Sequence, residues 1–371
     1  MNFIYRALGR LLPTIHPPEN PQRIVFIRPC CIGDVVMATA ALWALRRHYP
    51  DAHITWAVGG WSKQAVENHP DINAILDTGP DANPAGTPRG LIRFVRQLRT
   101  GDYDLAVSLS RSPLMSMAIL LSGIPYRAGI DSAGRGFGYN IRAPLDPTTR
   151  RHEVDIYKDV VKLLGARVNG INPEVPVEHN AIKTPRTCYL VVNPSGGKNP
   201  GAQMDAKRYP PEKLAEIVNL LEVPLDIEEV IIIAGPGDDA LVQQLTENLR
   251  LPYTAHIGTL TFPQIGALAE NAILYIGNDT GLTHYAAATY AITAMLLGPT
   301  DPARYGTYNP DTISLWKPYP LPPGGFADGA PPNWNWDTDG ITPQEAASQI
   351  ATMFTLDATA DRRRSRLKKR R

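Results

Sequence analysis

The stretch Ile273-Leu274-Tyr275-Ile276 is a short apolar run that stops at Gly277-Asn278-Asp279-Thr280-Gly281 and resumes, with helical periodicity, through Tyr285, Ala288 and Ala291. That pattern predicts a buried parallel strand, a turn of small residues and a helix. A turn of this kind aims unpaired backbone N–H groups at one point, and with the helix dipole they attract phosphate. Gly281 lets a ligand come close to the backbone, while Asp279 or Thr280 can cap the helix. The plainer alternative is a capped junction with no ligand, in which His284 is a packed or capping histidine.

The rest of the 371-residue chain repeats this alternation, and its length exceeds one ordinary core, so two domains are expected. Arg23–Arg28 has a buried-strand pattern, followed by the turn Pro29-Cys30-Cys31-Ile32-Gly33-Asp34 and a helix with Val35, Ala38, Leu42 and Leu45 inward. Further strands are expected at 54–58, 75–77, 104–109 and 127–130, with helices at 63–68, 90–99, 114–122 and 152–165. Residues 166–187, with Pro173, Pro176 and Pro185, have the composition of a linker. A second alternation runs from the strand at 188–193 through 297. Residues 298–342 are irregular, fitting either a lid or packing over a domain edge, and Thr342-Pro343 opens a final helix at 343–356. Strand alternating with helix predicts an α/β fold of parallel sheets covered on both faces. The domains expected are an amphipathic segment 1–22, a first domain 23–165, the linker, a second domain 188–356 and a basic tail 357–371. Ligands of such sheets bind at the carboxyl ends of the strands, so a cleft between two such domains is the expected site.

The formal charge of +1 hides an asymmetry: residues 361–371 carry eight Arg or Lys and one Asp, leaving a net −6 on residues 1–360. An acidic body does not suggest nucleic-acid binding. Phe3, Ile4, Ala7, Leu8, Leu11 and Leu12 share one helical face, with Arg6 and Arg10 on the other. This suits a helix lying on anionic lipid or one docked on the protein's own surface. The tail is either a second cationic contact or a solvated end, and together the two ends point toward a membrane surface. Cys30, Cys31 and Cys188 form no disulfide framework or metal set by spacing and fit a reducing compartment. Neither a membrane-length apolar run nor a cleavable signal peptide is apparent.

Four strand-to-helix turns hold the candidate chemistry. Asp34 is either a helix cap or a general base facing the ligand. Asn193-Pro194-Ser195-Gly196-Gly197 is a small-residue loop able to approach a phosphate. Lys207-Arg208, before the helix at 211, can neutralise a diphosphate, although loop cations are commonly just solvated. The fourth is Asp279-Thr280-Gly281 with His284. No Gly-x-Gly-x-x-Gly or P-loop pattern follows a strand, which argues against a dinucleotide enzyme or an NTPase. The triplets Asp102–Asp104 and Asp337–Asp339 are placed as surface carboxylates rather than as metal ligands.

Four segments carry a family resemblance: 27–58, 193–218, 235–245 and 276–306, in order and spacing. They resemble glycosyltransferase family nine, the ADP-heptose:lipopolysaccharide heptosyltransferases. The resemblance implies a GT-B-like fold of two Rossmann-like doubly wound domains facing a central cleft, acceptor on the first and nucleotide-sugar on the second. It further implies Asp34 as catalytic base, Lys207 on the diphosphate, Gly258–Thr261 with Thr259 near the nucleoside, and Asp279, Thr280, Gly281 and His284 as the donor motif. Ser195 joins the donor-binding set. Tyr209 stands where the family usually has Trp, Pro29-Cys30-Cys31 replaces a small polar segment, and 307–342 departs most. The function expected is inverting, metal-independent transfer of a sugar, with ADP-heptose the first choice of donor, onto a lipid-linked or lipopolysaccharide-core saccharide. No cofactor is expected, the nucleotide-diphosphate sugar being a substrate, and the placement expected is cytoplasmic, at the inner face of the membrane. The alternatives are a nucleotide-sugar epimerase or hydrolase of the same fold, and a catalytically silent sugar-nucleotide-binding protein.

Overall fold

The computed structural model describes residues 2–10, 13–199, 202–322, 331 and 333–356. The chain divides into two compact units, Met1–Glu174 and Val175–Arg371, with the division inside the proline-bearing stretch 166–187.

In the first unit α1 (Asn2–Arg10) precedes six strands: β1 (Arg23–Ile27), β2 (His53–Val58), β3 (Ala74–Asp77), β4 (Leu105–Ser108), β5 (Tyr126–Ser132) and β6 (Ile141–Leu145). All pair in parallel in the order β3-β2-β1-β4-β5-β6, with Ile24 opposite both Ile54 and Leu105. Four of the five residues of β1 are fully buried, as a strand covered on both faces requires. The helices α2 (Ile32–His48) and α5 (Glu153–Lys162) pack together, as do α3 (Pro88–Thr100) and α4 (Pro113–Ser122). Phe94, Leu98, Met115 and Ile119 of α3 and α4 join Val25, Ile27 and Tyr139 in one core. Each such side chain contributes roughly 1.5–3 kcal/mol by leaving water. Thr87 and Ser112 cap α3 and α4, accepting from Gly90 N and Met115 N, and each is followed by proline at the first helical position.

The second unit repeats the plan: β7 (Tyr189–Asn193), the small antiparallel pair β8 (Lys198–Asn199) and β9 (Ala202–Gln203), β10 (Glu229–Ala234), β11 (Tyr253–Ile257), β12 (Leu274–Asn278), β13 (Thr293–Leu296) and β14 (Thr312–Leu315). Its parallel sheet runs β11-β10-β7-β12-β13-β14, the same order as the first unit once β8 and β9 are set aside. Helices α6 (Pro211–Leu225), α7 (Asp239–Glu247), α8 (Phe262–Asn271), α9 (Gly281–Ala288), α10 (Pro302–Tyr305) and α11 (Pro343–Leu356) connect and follow these strands. Both sheets thus reverse strand order beside their first strand, between β1 and β4 and between β7 and β12. Loops at the carboxyl ends of strands flanking such a point are where open α/β sheets bind ligands.

Several expectations change. The helix expected at 63–68 is one short turn, Lys63–Ala65. β6 escaped notice because Pro144 interrupts its pattern, and as the edge strand it tolerates a missing donor. The helix α1 docks on its own unit: Tyr5 stacks on Phe137 with ring centroids 5.6 Å apart, and Gly9 is buried beside Phe137. Ile4, Arg6 and Ala7 of the same helix are exposed. Leu11, Leu12 and the basic tail 357–371 lie outside the described residues. Cys30 and Cys31, which spacing gave no disulfide partner, are disulfide-bonded to each other across a cis peptide. Spacing rules look for distant partners, and this bond joins neighbours within one turn. Cys188 is free. In the irregular stretch, Trp336 packs edge-on against Tyr209 at 5.0 Å and so close to Gly298 that a Cβ there would lie 2.9 Å from its ring. The described part of 298–342 therefore packs against the second unit's own core.

Candidate active site

Asp34 sits in the first turn of α2, just past the carboxyl end of β1. Cys31 is the extended cap residue, and its N–H reaches Asp34 Oδ2 only at 3.5 Å, so the capping contact is the weakest that the carboxylate makes. The strong contacts fall on the other oxygen. Arg28 Nη2 lies 2.6 Å from Oδ1, and the Tyr157 hydroxyl donates to the same Oδ1 at 2.7 Å. Arg28 is held in turn by donating to Leu109 O and by lying over the Tyr157 ring, 5.3 Å from its centroid. Behind them Arg111 donates to both oxygens of the buried Glu153 at 2.8 and 2.7 Å. Burial pushes the Asp34 carboxyl up, but the Arg28 guanidinium and the Tyr157 hydroxyl outweigh it and hold the group below its ordinary value. The result is an ionised carboxylate with one oxygen saturated and the other nearly open.

In the second unit the loops after β7 and β12 interlock. Asn193 Oδ1 accepts from Ser195 N, while Asn278 Nδ2 donates to Pro194 O and Ser195 O. Asn278 Oδ1 accepts from Tyr209 N, which places the Lys207-Arg208-Tyr209 segment against β12. Lys207 Nζ then meets Asp279 Oδ2 at 2.7 Å. Burial raises the Asp279 carboxyl, yet Lys207, the charge of His284 and a bond from Thr300 together lower it. Thr280 caps α9 by accepting from Thr283 N, and Thr283 Oγ donates to Asn278 O. Gly277 is required here, since a Cβ would lie 2.7 Å from Thr283 Oγ. Gly281 opens α9, and His284 is buried one turn later.

Ser195 Oγ accepts from Gly235 N and also bonds Asp238, which Lys198 of β8 reaches at 2.8 Å. Thr259 is exposed in the turn after β11. Gly258, at φ +64, lies so near Pro236 that a Cβ would come within 2.9 Å of it, so that turn adjoins the Gly235–Gly237 turn and, through it, Ser195. Lys207, Asp279, Thr280, Gly281, His284 and Ser195 are thus brought together at the β7/β12 switch point, with Thr259 at the margin.

The profile of "Glycosyltransferase family 9 (heptosyltransferase)" matches residues 91–323. The chain belongs to glycosyltransferase family 9 and is a glycosyltransferase. It is 24% identical over 303 residues to lipopolysaccharide heptosyltransferase 3 of Escherichia coli K12, an alignment covering 76% of this chain and 85% of that one. The structure of a family 9 glycosyltransferase from Veillonella parvula superposes with a TM-score of 0.71 at 21% identity, covering 92% of this chain and all of the other. That of E. coli ADP-heptose lps heptosyltransferase II gives 0.69 at 19%, covering 90% and 99%. These likenesses carry the fold, an α/β GT-B-like chain of two Rossmann-like units.

Sequence reading missed the partners that give these candidate residues their geometry. Tyr157 falls inside the helix expected at 152–165 and Arg28 at the end of the first strand pattern, and neither position carries a site signal of its own. Only the packing of α5 on α2, 123 residues apart in sequence, joins them to Asp34. Tyr305 and Arg304 were not singled out either; Lys207 Nζ lies 5.7 Å and Arg304 Cζ 4.9 Å from the Tyr305 ring. Three carboxylates of the Asp-x-Asp triplets have protein partners. Asp104 accepts from the N–H groups of Gln22 and Arg23, Asp337 pairs with Lys213, and Asp339 accepts from Asn335 N.

Proposed function

We propose that this family 9 enzyme transfers a heptosyl group from ADP-heptose, with inversion and without a metal ion, onto a hydroxyl of a lipid-linked saccharide of the lipopolysaccharide core. Asp34 of the first unit is the base. Its Oδ2 takes the proton of the acceptor hydroxyl while that oxygen attacks the anomeric carbon and the bond to the diphosphate breaks. Negative charge then grows on the departing nucleoside diphosphate, so stabilisation must be aimed there. Lys207 and the first-turn N–H groups of α9 supply it, with Thr280 and Gly281 shaping the approach and Ser195 and Thr259 serving the rest of the nucleotide. The enzyme works at the cytoplasmic face of the membrane, where such an acceptor is presented.

The observation that carries this reading is the asymmetry of Asp34: two short bonds fix Oδ1, and Oδ2 has only the long Cys31 contact among the described residues. The names of the relatives support the sugar and the acceptor class. The test is product analysis by mass spectrometry with ADP-heptose, with and without a core-saccharide acceptor. Heptosylated acceptor formed only when both are present supports transfer. Free heptose or an epimerised nucleotide-sugar formed without acceptor contradicts it. Turnover that survives a chelator supports the metal-free reading, whereas loss restored by Mg²⁺ or Mn²⁺ contradicts it.

A further inference from the structure

Of the nine large hydrophobic side chains left exposed among the described residues, three lie on the neighbouring helices α3 and α4: Ile92 at 52%, Leu114 at 38% and Leu121 at 46%. The two helices run side by side in the same direction. Asn83 bonds Ser112 at their starts, and Arg99 Nη2 donates to Leu121 O at their ends. Both follow directly from β3 and β4, so both begin at the carboxyl end of the sheet, where Asp34 stands. Helix α4 contains no charged residue, and α3 contains four arginines and no acid.

The arginines are not scattered. At 100° per residue Arg89, Arg93, Arg96 and Arg99 fall with Ile92 and Thr100 on one outward arc of α3, opposite the buried Phe94 and Leu98. Arg93 is the most engaged of the first three, with Thr78 O at 3.4 Å and Asp81 at 3.9 Å, both long. Around Arg89, Ile92, Arg93 and Arg96 the surface forms a depression of about 590 Å³ that Gln97 and Thr100 complete. A cationic row thus runs beside an apolar row, with no carboxylate on either helix.

From this juxtaposition we infer that the outer face of α3 and α4 docks on an anionic lipid surface. Charge complementarity selects the occupant: guanidinium groups on long apolar stems meet phosphate headgroups while Ile92, Leu114 and Leu121 enter the interface beneath them. The row is about 15 Å long from Arg89 to Arg99, an extended contact suited to several headgroups rather than to one bound anion. Such docking deepens the reading of a lipid-linked acceptor, since it holds the first unit, which carries Asp34, at the membrane.

The test is co-sedimentation of the full chain with vesicles of phosphatidylcholine alone and of phosphatidylcholine with phosphatidylglycerol, without donor or acceptor. Failure here is therefore separate from failure of the transfer reaction. Native protein is expected to bind the anionic vesicles and to be released by salt. The triple variant Arg89→Gln, Arg93→Gln, Arg96→Gln should partition more weakly by on the order of 100-fold, at about fivefold per cation. Leu114→Ser with Leu121→Ser should weaken binding by roughly fivefold or more. All five side chains are exposed or nearly so and none belongs to the site, so native circular dichroism is expected for both variants. Undiminished binding of the arginine variant would overturn the proposal and leave any lipid attraction to other parts of the chain. Absence of binding by native protein, or equal binding to neutral vesicles, would overturn it as well.

Discussion

The chain holds a carboxylate–cation pair beside the switch point of each sheet, Asp34 with Arg28 after β1 and Asp279 with Lys207 after β12, and the two differ in which partner is buried. In the pair of the first unit the Asp34 side chain is 22% exposed and Arg28 17%. In the pair of the second the order reverses, Lys207 at 20% and Asp279 at 7%. The first pair is about equally exposed in both partners and leaves one carboxylate oxygen nearly open; the second presents its ammonium and keeps the carboxylate behind. Both pairs flank a switch point, but which group is left open decides whether a site can take a proton or hold a phosphate. Both carboxyls lie below their ordinary value because a cation outweighs burial.

Removing the presented carboxylate should have the largest effect. Asp34→Asn is expected to lower kcat by roughly 10²–10⁴-fold, the usual worth of a positioned base, as read by steady-state heptosyl transfer. Removing the presented cation comes next. Lys207→Ala should lower kcat/KM by on the order of 10²-fold and raise the donor KM, because its charge acts both before and during departure of the diphosphate.

The supporting groups of the first pair sharpen the contrast through pH. As the proposed base Asp34 must be ionised, so activity is expected to be full above its folded pKa and to fall as pH drops through it. Arg28 and the Tyr157 hydroxyl both depress that value, Arg28 more strongly. The acid limb of kcat/KM is therefore expected to move to higher pH in Tyr157→Phe and further in Arg28→Gln. A merely structural role would lower the plateau and leave the limb in place. The same sign governs stability, which this pair supports above the unfolded carboxylate value and loses as pH falls through the folded one.

The smallest effect is expected behind Lys207. The Tyr209 hydroxyl donates to the buried Ile341 O at 2.9 Å. Tyr209→Phe leaves that carbonyl without its donor and should destabilise the protein by about 1–3 kcal/mol in denaturant melts, with modest change in donor KM.

Much of this arrangement was legible in the sequence because it is local. Fully buried parallel strands are continuous apolar runs, and the turns after β1, β7 and β12 follow them at once, so Asp34, Ser195 and Asp279 could be placed from the pattern alone. What could not be placed depends on packing between distant segments. Tyr157 reaches Asp34 only because α5 lies on α2, and Lys207 reaches Asp279 through Asn278 holding Tyr209 N. The orientation of each pair, which carries its chemistry, follows from those contacts. Pro144 hid β6, and the two-residue β8 and β9 and the four-residue β14 and α10 have too few residues to show a period. The bond between Cys30 and Cys31 lay below any spacing rule.

The division of labour between the pairs is tested most directly by calorimetric titration of ADP-heptose, without acceptor, into Asp34→Asn and Lys207→Ala. Donor affinity is expected to stay within about twofold of native in Asp34→Asn and to weaken by about tenfold or more in Lys207→Ala, as loss of a charge-assisted bond of roughly 1.5–3 kcal/mol requires. Equal weakening in both variants, or native affinity in Lys207→Ala, would contradict a first unit that takes the proton and a second that holds the phosphate.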